Sequence, residues 1–133
     1  MYRIDEALPS VDEYQGLRTS VGWGSPTPTD CEIALASTPF GVVARHHEQA
    51  VGMARLVGDK TLYLLIVDVA VHPDHQGSGL GRDMVSKLVE WVKEQGTRNT
   101  LLVASPEVVP FYEALNFSVD DNHLMKRTPT RTT

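Results

Sequence analysis

The chain has 133 residues and a formal net charge of −5, and 41% of its residues are hydrophobic while 22% are charged. This length suits one domain with a core of its own. No apolar run approaches the roughly 20 residues that cross a bilayer, no basic block suits nucleic acid, and the first residues lack an apolar signal core. We therefore expect a cytoplasmic protein with neither a membrane nor nucleic acid as partner. The single cysteine, Cys31, excludes an intrachain disulfide and a cysteine-rich metal site.

The first part of the chain predicts two helices and an antiparallel meander of strands. Ser10 is placed as a helix N-cap, and Glu13 completes a capping box three residues later. Residues 23–29 predict a loop, because two prolines and a glycine interrupt regular hydrogen bonding. The predicted helices are residues 11–21 and 30–37, and the predicted strands are residues 2–4, 40–46 and 50–57.

The second part predicts a strand, a long helix and a return to the sheet. Residues 61–71 are apolar on both faces, which predicts a central strand. Residues 80–95 have helical periodicity, so the strand that follows, residues 100–104, is expected to lie parallel to the central strand. The remaining predictions are a helix at residues 107–115, a closing hairpin formed by 117–119 and 123–126, and a frayed tail at 128–133.

A glycine-rich turn joins the predicted central strand to the long helix. Its letters are QGSGLGR, residues 76–82. The first N–H groups of a helix have no partner within it and lie at the positive end of the helix dipole, so such a turn can hold a phosphate group. Arg82 adds a positive charge. The alternative is a turn that needs glycine for steric reasons alone.

Two common phosphate-binding loops do not match this turn. The pattern GxxxxGK[ST] is absent, and GxGxxG fails because the spacing here is GxGxG. The letters QGSGLG instead match the signature Q/R-x-x-G-x-G/A of the GCN5-related N-acetyltransferase (GNAT) superfamily. Residues 110–117, PFYEALNF, resemble the second signature of that family, FYEKLGF, with Asn116 in place of glycine. The chain resembles this superfamily over nearly its whole length.

The resemblance implies a fold, a cosubstrate and a set of binding residues. The fold class is α/β, a mixed and mostly antiparallel sheet flanked by helices with a parallel strand pair at the cofactor site, in one domain of residues 1–127. The cosubstrate is acetyl-CoA, and its acetyl group passes directly to an amine in a ternary complex. The residues expected to bind acetyl-CoA are Val69, Ala70, Val71, Gln76, Gly77, Ser78, Gly79, Leu80, Gly81, Arg82 and Ser105.

Tyr112 aligns with the tyrosine that often serves as general acid in this family. A phenol with an ordinary pKa of about 10 is protonated at neutral pH and can give its proton to a leaving thiolate. The alternative is a core tyrosine on an amphipathic helix.

Asp68 is a carboxylate in an otherwise apolar strand, where an unpaired charge is costly to bury. In one interpretation it takes a proton from the substrate ammonium, directly or through water. In the other it is a structural partner of Arg55 on the neighbouring strand. Both interpretations stay open at this point.

The acceptor amine is predicted from apolar and aromatic side chains. Trp23, Met53 and Phe111 would suit an arylalkylamine. The chain resembles most the small serotonin N-acetyltransferase-type members of plants and cyanobacteria, in residues 21–23, 52–55, 68–71 and 109–112. The rival functions are a protein or peptide N-acetyltransferase and a non-catalytic acyl-CoA sensor.

Two further expectations concern metals and assembly. No metal ion is expected, because the histidines lie in the glycine-turn signature or at a hairpin. Besides the small-molecule amine, the partner considered is a second copy of the chain in a homodimer.

Overall fold

The structure is a computed structural model that describes residues 1–129. The chain forms two compact units, Met1–Val103 and a second unit that begins at Ala104. Among the described residues, no helix is both long enough and apolar enough to span a bilayer. Most of the tail predicted at residues 128–133 lies outside the described part of the chain.

A five-stranded sheet is the framework of the first unit, and its strands are ordered as they occur along the chain. Consecutive strands from β1 to β4 pair antiparallel, whereas β4 and β5 pair parallel. This confirms the predicted meander and the parallel return, although β4 lies one place from the edge of the sheet. The strands are β1 Tyr2–Asp5, β2 Phe40–His46, β3 Gln49–Gly58, β4 Tyr63–Val71 and β5 Asn99–Leu102.

Three α-helices and one 3₁₀ turn, Pro73–His75, belong to the same unit; the α-helices are α1 Val11–Ser20, α2 Pro28–Ala36 and α3 Leu80–Gln95. The predicted capping box opens α1, since the Glu13 N–H donates to Ser10 Oγ at 3.1 Å and the Ser10 N–H donates to Glu13 Oε1 at 2.9 Å. Helix α2 begins two residues earlier than predicted. Thr27 caps it, and a proline occupies its first turn, where a missing N–H leaves no bond unmade.

Two neighbouring residues of β3 show how the helices divide between the faces of the sheet. Successive strand residues point to opposite faces. Met53 is buried in a cluster with α1 and α2, whereas a Cβ atom at Gly52 would lie 3.0 Å from Cε of Met84 in α3. Helices α1 and α2 therefore cover one face and α3 covers the other. Buried with Met53 are Tyr14, Leu17, Cys31, Leu35 and Ala70.

Helix α3 is held by the apolar side that its periodicity predicted. Its buried residues are Leu80, Met84, Val85, Leu88 and Val92. Fully burying a side chain of this size contributes about 2 kcal/mol to stability. Packing of this apolar side, more than intrinsic helix propensity, therefore stabilises α3.

The second unit has less regular structure than predicted. A 3₁₀ turn at Pro106–Val108 leads into α4, Val109–Glu113, which is shorter than the predicted helix. Asn116 has a φ of 71°, the left-handed conformation that glycine would take in the family signature. The predicted hairpin is wrong, because residues 117–129 contain no strand. Large apolar side chains there are exposed, and a two-stranded ribbon without a covered face is marginal in water.

Candidate active site

Strand β4 contains one extra residue at the candidate site. Met53 of β3 pairs with Ala70, but Arg55, two residues further along β3, pairs with Val67, three residues back along β4. Such a bulge bends its strand and changes the direction of the groups that follow. Asp68 lies at the bulge with a φ of 56°, a left-handed conformation that aspartate tolerates better than most residues.

The pairing of β4 with β5 also ends just before this point. The two strands pair only along residues 63–66, so within residues 1–129 the β5 side of residues 67–71 has no strand partner. Val71 lies opposite Gly52, and the next residue, His72, donates its N–H to β3 at 2.8 Å. Antiparallel alternation therefore turns the N–H and C=O of Val71 away from β3, toward the open edge.

The predicted glycine turn opens α3 and leaves its first N–H groups without a side-chain cap. Gly77 and Gly79 have φ of 82° and 81°, and Gly79 is the uncapped N-cap residue. A Cβ atom at either glycine would meet no described atom within 4 Å, so the space above the turn is open. Arg82 is exposed in the first turn of the helix. The turn has the donors, the room and the positive charge that suit a phosphate group.

Two side chains of the turn make hydrogen bonds to the residues before it, and one of these bonds reaches the end of β4. Gln76 Nε2 donates to the carbonyl of Val71 at 2.9 Å, and Ser78 Oγ donates to the carbonyl of His75 at 2.8 Å. The first bond links the turn directly to the strand residue that faces the open edge. The predicted residues 69–71 and 76–82 therefore form one continuous surface element.

Asp68 accepts three hydrogen bonds, and each oxygen of its carboxylate is used. Oδ2 accepts from Tyr14 Oη at 2.6 Å and from Arg55 Nε at 2.8 Å, and Oδ1 accepts from Arg18 Nη1 at 2.8 Å. The Asp68 side chain is 10% exposed, and those of Arg18 and Arg55 are 22% and 13% exposed. The structure contains the ion pair between Asp68 and Arg55 that was one of the two interpretations of the sequence. Burial raises the pKa of the Tyr14 phenol, and the hydrogen bond to Asp68 raises it further to a smaller extent. The phenol therefore keeps its proton and remains a hydrogen-bond donor.

The two arginines extend this network to other segments. Arg18 Nε donates to the carbonyl of Gly24 at 2.8 Å, and its guanidinium carbon lies 5.5 Å from the centroid of the Trp23 ring. Arg55 Nη1 donates to Thr38 Oγ1 at 3.0 Å. One carboxylate thus connects α1, the loop after it, the α2–β2 connection, β3 and β4. We call these contacts the Asp68 network.

The two acceptor residues predicted in this unit differ in exposure. Trp23 is 39% exposed on a loop, whereas Met53 is 2% exposed in the core. The exposure of Trp23 suits contact with a ligand. The burial of Met53 favours a packing role.

Sequence reasoning missed Tyr14 and Arg18. They are four residues apart on α1, so they lie on one face of that helix. Both lie on the face of α1 that also carries the buried Leu17. Polar groups on the apolar face of a helix indicate that a polar partner is buried beneath it, and this signal was present in the sequence.

The other predicted residues lie in the second unit, which begins at Ala104. The Tyr112 ring contacts Phe111 and Phe117, at centroid distances of 4.9 Å and 6.1 Å. Burial raises the pKa of the Tyr112 phenol, so the group is protonated at neutral pH. Ser105 is exposed at the start of the 3₁₀ turn, and its carbonyl accepts the Val108 N–H at 3.0 Å.

Four histidines gather beside the start of the glycine turn. Neighbouring rings of His46, His47, His72 and His75 have centroids 4.2 to 6.0 Å apart. Partial desolvation and then the charge of His47 lower the pKa of His46. Among residues 1–129, no group of three or more His, Cys, Asp or Glu side chains is arranged to hold a metal ion.

The strand, bulge, turn and helix define the class of protein. The sequence profile of the acetyltransferase (GNAT) family matches residues 8–117, so the chain belongs to this family. A crystal structure of a probable acetyltransferase from meticillin-resistant Staphylococcus aureus has a TM-score of 0.89 at 22% identity, and the match covers 97% of this chain and 100% of that one. The likeness shows the fold and confirms the predicted α/β class.

Three relatives differ in the activity that their names give. The uncharacterized ycf52-like N-acetyltransferase of Prochlorococcus marinus is 31% identical over 112 residues, which cover 81% of this chain and 62% of that protein. Histone acetyltransferase TAP1 of Glycine max is 33% identical, covering 83% and 53%. Serotonin N-acetyltransferase 2, chloroplastic, of Oryza sativa subsp. japonica is 41% identical over 70 residues, covering 53% and 35%. The chain thus spans less than two thirds of the length of each.

Proposed function

We propose that the chain is an acetyl-CoA-dependent N-acetyltransferase that transfers acetyl directly to the primary amine of a small molecule. The observation that carries the proposal is the uncapped turn at residues 76–82, joined through Gln76 to the open edge of β4. Members of the family use acetyl-CoA. The family match across residues 8–117 supports one working domain of residues 1–127.

The proposed binding residues are mainly backbone groups. Acetyl-CoA supplies an activated thioester. The N–H groups of residues 77–82 would bind its pyrophosphate, with Arg82 as a counter-charge. Val69, Ala70 and Val71 would line the thioester and pantetheine, and an outward N–H there would stabilise negative charge on the thioester oxygen. Ser105 is the proposed further contact to the pantetheine arm.

Tyr112 is the proposed general acid. Its phenol would donate a proton to the departing thiolate of CoA while the amine nitrogen bonds to the acetyl carbon. The phenol of Tyr112 holds its proton throughout the neutral range, so the proton that this role requires is present.

The proposed acceptor is an arylalkylamine. The exposure of Trp23 and of Phe111 supports a flat ring with an amine arm, as does the name of the rice relative, a serotonin N-acetyltransferase. The soybean relative, named a histone acetyltransferase, supports a peptide lysine as the second candidate. Action in the cytoplasm and as a homodimer remain predictions, and the rice relative is named chloroplastic.

An acceptor panel tests the proposal. Purified protein would be mixed with acetyl-CoA and tryptamine, serotonin, a lysine-containing peptide or an aminoglycoside, and release of CoA would be followed. We expect the two indole amines to give the highest kcat/KM. Tryptophol is the matched control, since it keeps the ring and replaces the amine by a hydroxyl. A preference for the peptide would support the second candidate, and acetyl-CoA binding without transfer to any amine would support a sensor.

A further inference from the structure

We propose that Asp68 is a positioning residue for acetyl-CoA and not the base that deprotonates the amine. Its three hydrogen bonds hold the β4 bulge in the shape that directs the N–H and C=O of Val71 to the open edge. This inference rests on the proposed function, because it assigns Asp68 a role in the same acetyl-CoA site.

The first argument is the backbone conformation at Asp68. A left-handed residue other than glycine persists where its surroundings hold it in place. Here two guanidinium groups and a phenol donate to the side chain of that same residue, at 2.6 to 2.8 Å. Hydrogen bonds to a charged partner are stronger than neutral ones. The carboxylate therefore anchors the bulge.

The second argument is the direction of the strand groups. Side chains and hydrogen-bonding groups of a strand alternate with a period of two, so a shift of one residue exchanges the two sides. The extra residue at Asp68 produces such a shift between Val67 and Ala70. If the bulge relaxed into regular pairing through a shift of one residue, the N–H and C=O of Val71 would turn toward β3 and away from the open edge.

The third argument is charge. A base must accept a proton from an ammonium within hydrogen-bond reach. Both oxygens of Asp68 already accept from arginine, and the two guanidinium charges exceed the one carboxylate charge. This part-buried excess of positive charge repels an ammonium at Asp68. The network is therefore better suited to shaping the strand than to collecting a proton.

The experiment measures acetyl-CoA affinity by calorimetry and kcat/KM across about pH 6 to 9. Asp68→Asn keeps the size of the side chain and removes its charge, and Tyr14→Phe removes one donor while the carboxylate stays. We expect the acetyl-CoA Kd to rise about tenfold in the first variant and about threefold in the second. The loss of kcat/KM is expected to be equal at every pH, because no proton acceptor has been removed.

The control is Lys60→Gly. Lys60 is exposed in the β3–β4 turn, before the start of β4, and has a φ of 74°, so this variant relieves a left-handed position away from the bulge. Its acetyl-CoA Kd is expected to stay unchanged. Near-UV circular dichroism checks the fold, and where Asp68→Asn fails to fold, Tyr14→Phe and Arg55→Lys decide the matter.

Three results would overturn the inference. The first is an unchanged acetyl-CoA Kd in folded variants of the Asp68 network. The second is a loss of kcat/KM confined to low pH and recovered at high pH, which is the behaviour of a missing base. In both cases the proposed function stands. The third is an unaltered protein that does not bind acetyl-CoA, and this result alone would also overturn the proposed function.

Discussion

The turn at residues 76–82 follows the end of β4, whereas the Asp68 network is centred on the bulge within β4, and the two work by opposite means. The turn is exposed and its hydrogen-bond donors are backbone N–H groups. Its glycines keep these groups accessible, because they have no side chains to cover them. The network is mostly buried and uses side chains drawn from positions up to 54 residues apart. A ligand can therefore bind the first directly, whereas the second acts by fixing the shape of the strand.

The largest expected effect comes from placing a carboxylate in the turn. Gly79→Glu adds negative charge where the pyrophosphate would lie and forces a side chain into a left-handed residue, so we expect the acetyl-CoA Kd to rise by at least about 10²-fold. Gly96→Glu is the matched control, because Gly96 is left-handed too, at a φ of 70°, at the other end of α3. If calorimetry finds equal losses of acetyl-CoA affinity in both variants, the turn is not part of the binding site.

Tyr112→Phe separates binding from chemistry. We expect turnover to fall by about 10²-fold, the size typical of a lost general acid, with the acetyl-CoA Kd unchanged. Since burial raises the pKa of Tyr112, the unaltered enzyme should keep its turnover until the pH exceeds the ordinary phenol value of about 10. Tyr63→Phe, at an exposed tyrosine of β4, is the control. A loss within a factor of a few would make Tyr112 a packing residue.

Tyr14→Phe tests the stability of the Asp68 network. Removing a donor to a charged acceptor should lower the free energy of unfolding by about 1.5 kcal/mol in urea titrations. The folded pKa of Tyr14 is raised, so its contribution is present below the unfolded value of about 10 and is lost as the pH rises through the folded value. The difference between the two proteins should therefore shrink at alkaline pH. A difference that grows there would contradict the assigned donor.

The smallest expected effect belongs to a contact outside both regions. Ser10→Ala removes the N-cap of α1 and should lower the free energy of unfolding by about 1 kcal/mol. Thermal unfolding measures this, and the acetyl-CoA Kd should not change. A raised Kd would mean that general loss of stability weakens binding. The Kd changes in the other variants could then not be assigned to the turn or to the Asp68 network.

The sequence predicted the features that consecutive residues encode. The capping box, the glycine turn and the order of strands could be read because each depends on neighbours in the chain. The sequence does not reveal the early start of α2, because Thr27 and Pro28 suit a loop as well as they suit the first positions of a helix. The predicted hairpin failed because strand propensity alone does not supply a partner sheet.

The bulge and the Asp68 network could not be read in this way. The bulge is a property of pairing between β3 and β4, and nothing local to Asp68 requires an extra residue. Arg55 could be proposed as a partner because it lies on the adjacent predicted strand. Tyr14 and Arg18 reach Asp68 only after α1 packs on the sheet, so their role depends on tertiary structure.

The burial of Cys31 allows the release of CoA to be measured with a thiol reagent. It is the single cysteine of the chain and is 1% exposed. A thiol reagent added to the native protein should therefore react with free CoA and hardly at all with the enzyme, so the release of CoA can be followed against a low background. Without acetyl-CoA, the slow labelling of Cys31 would report how often α2 lifts from the sheet, because the sulfur is reached only when that part of the core opens.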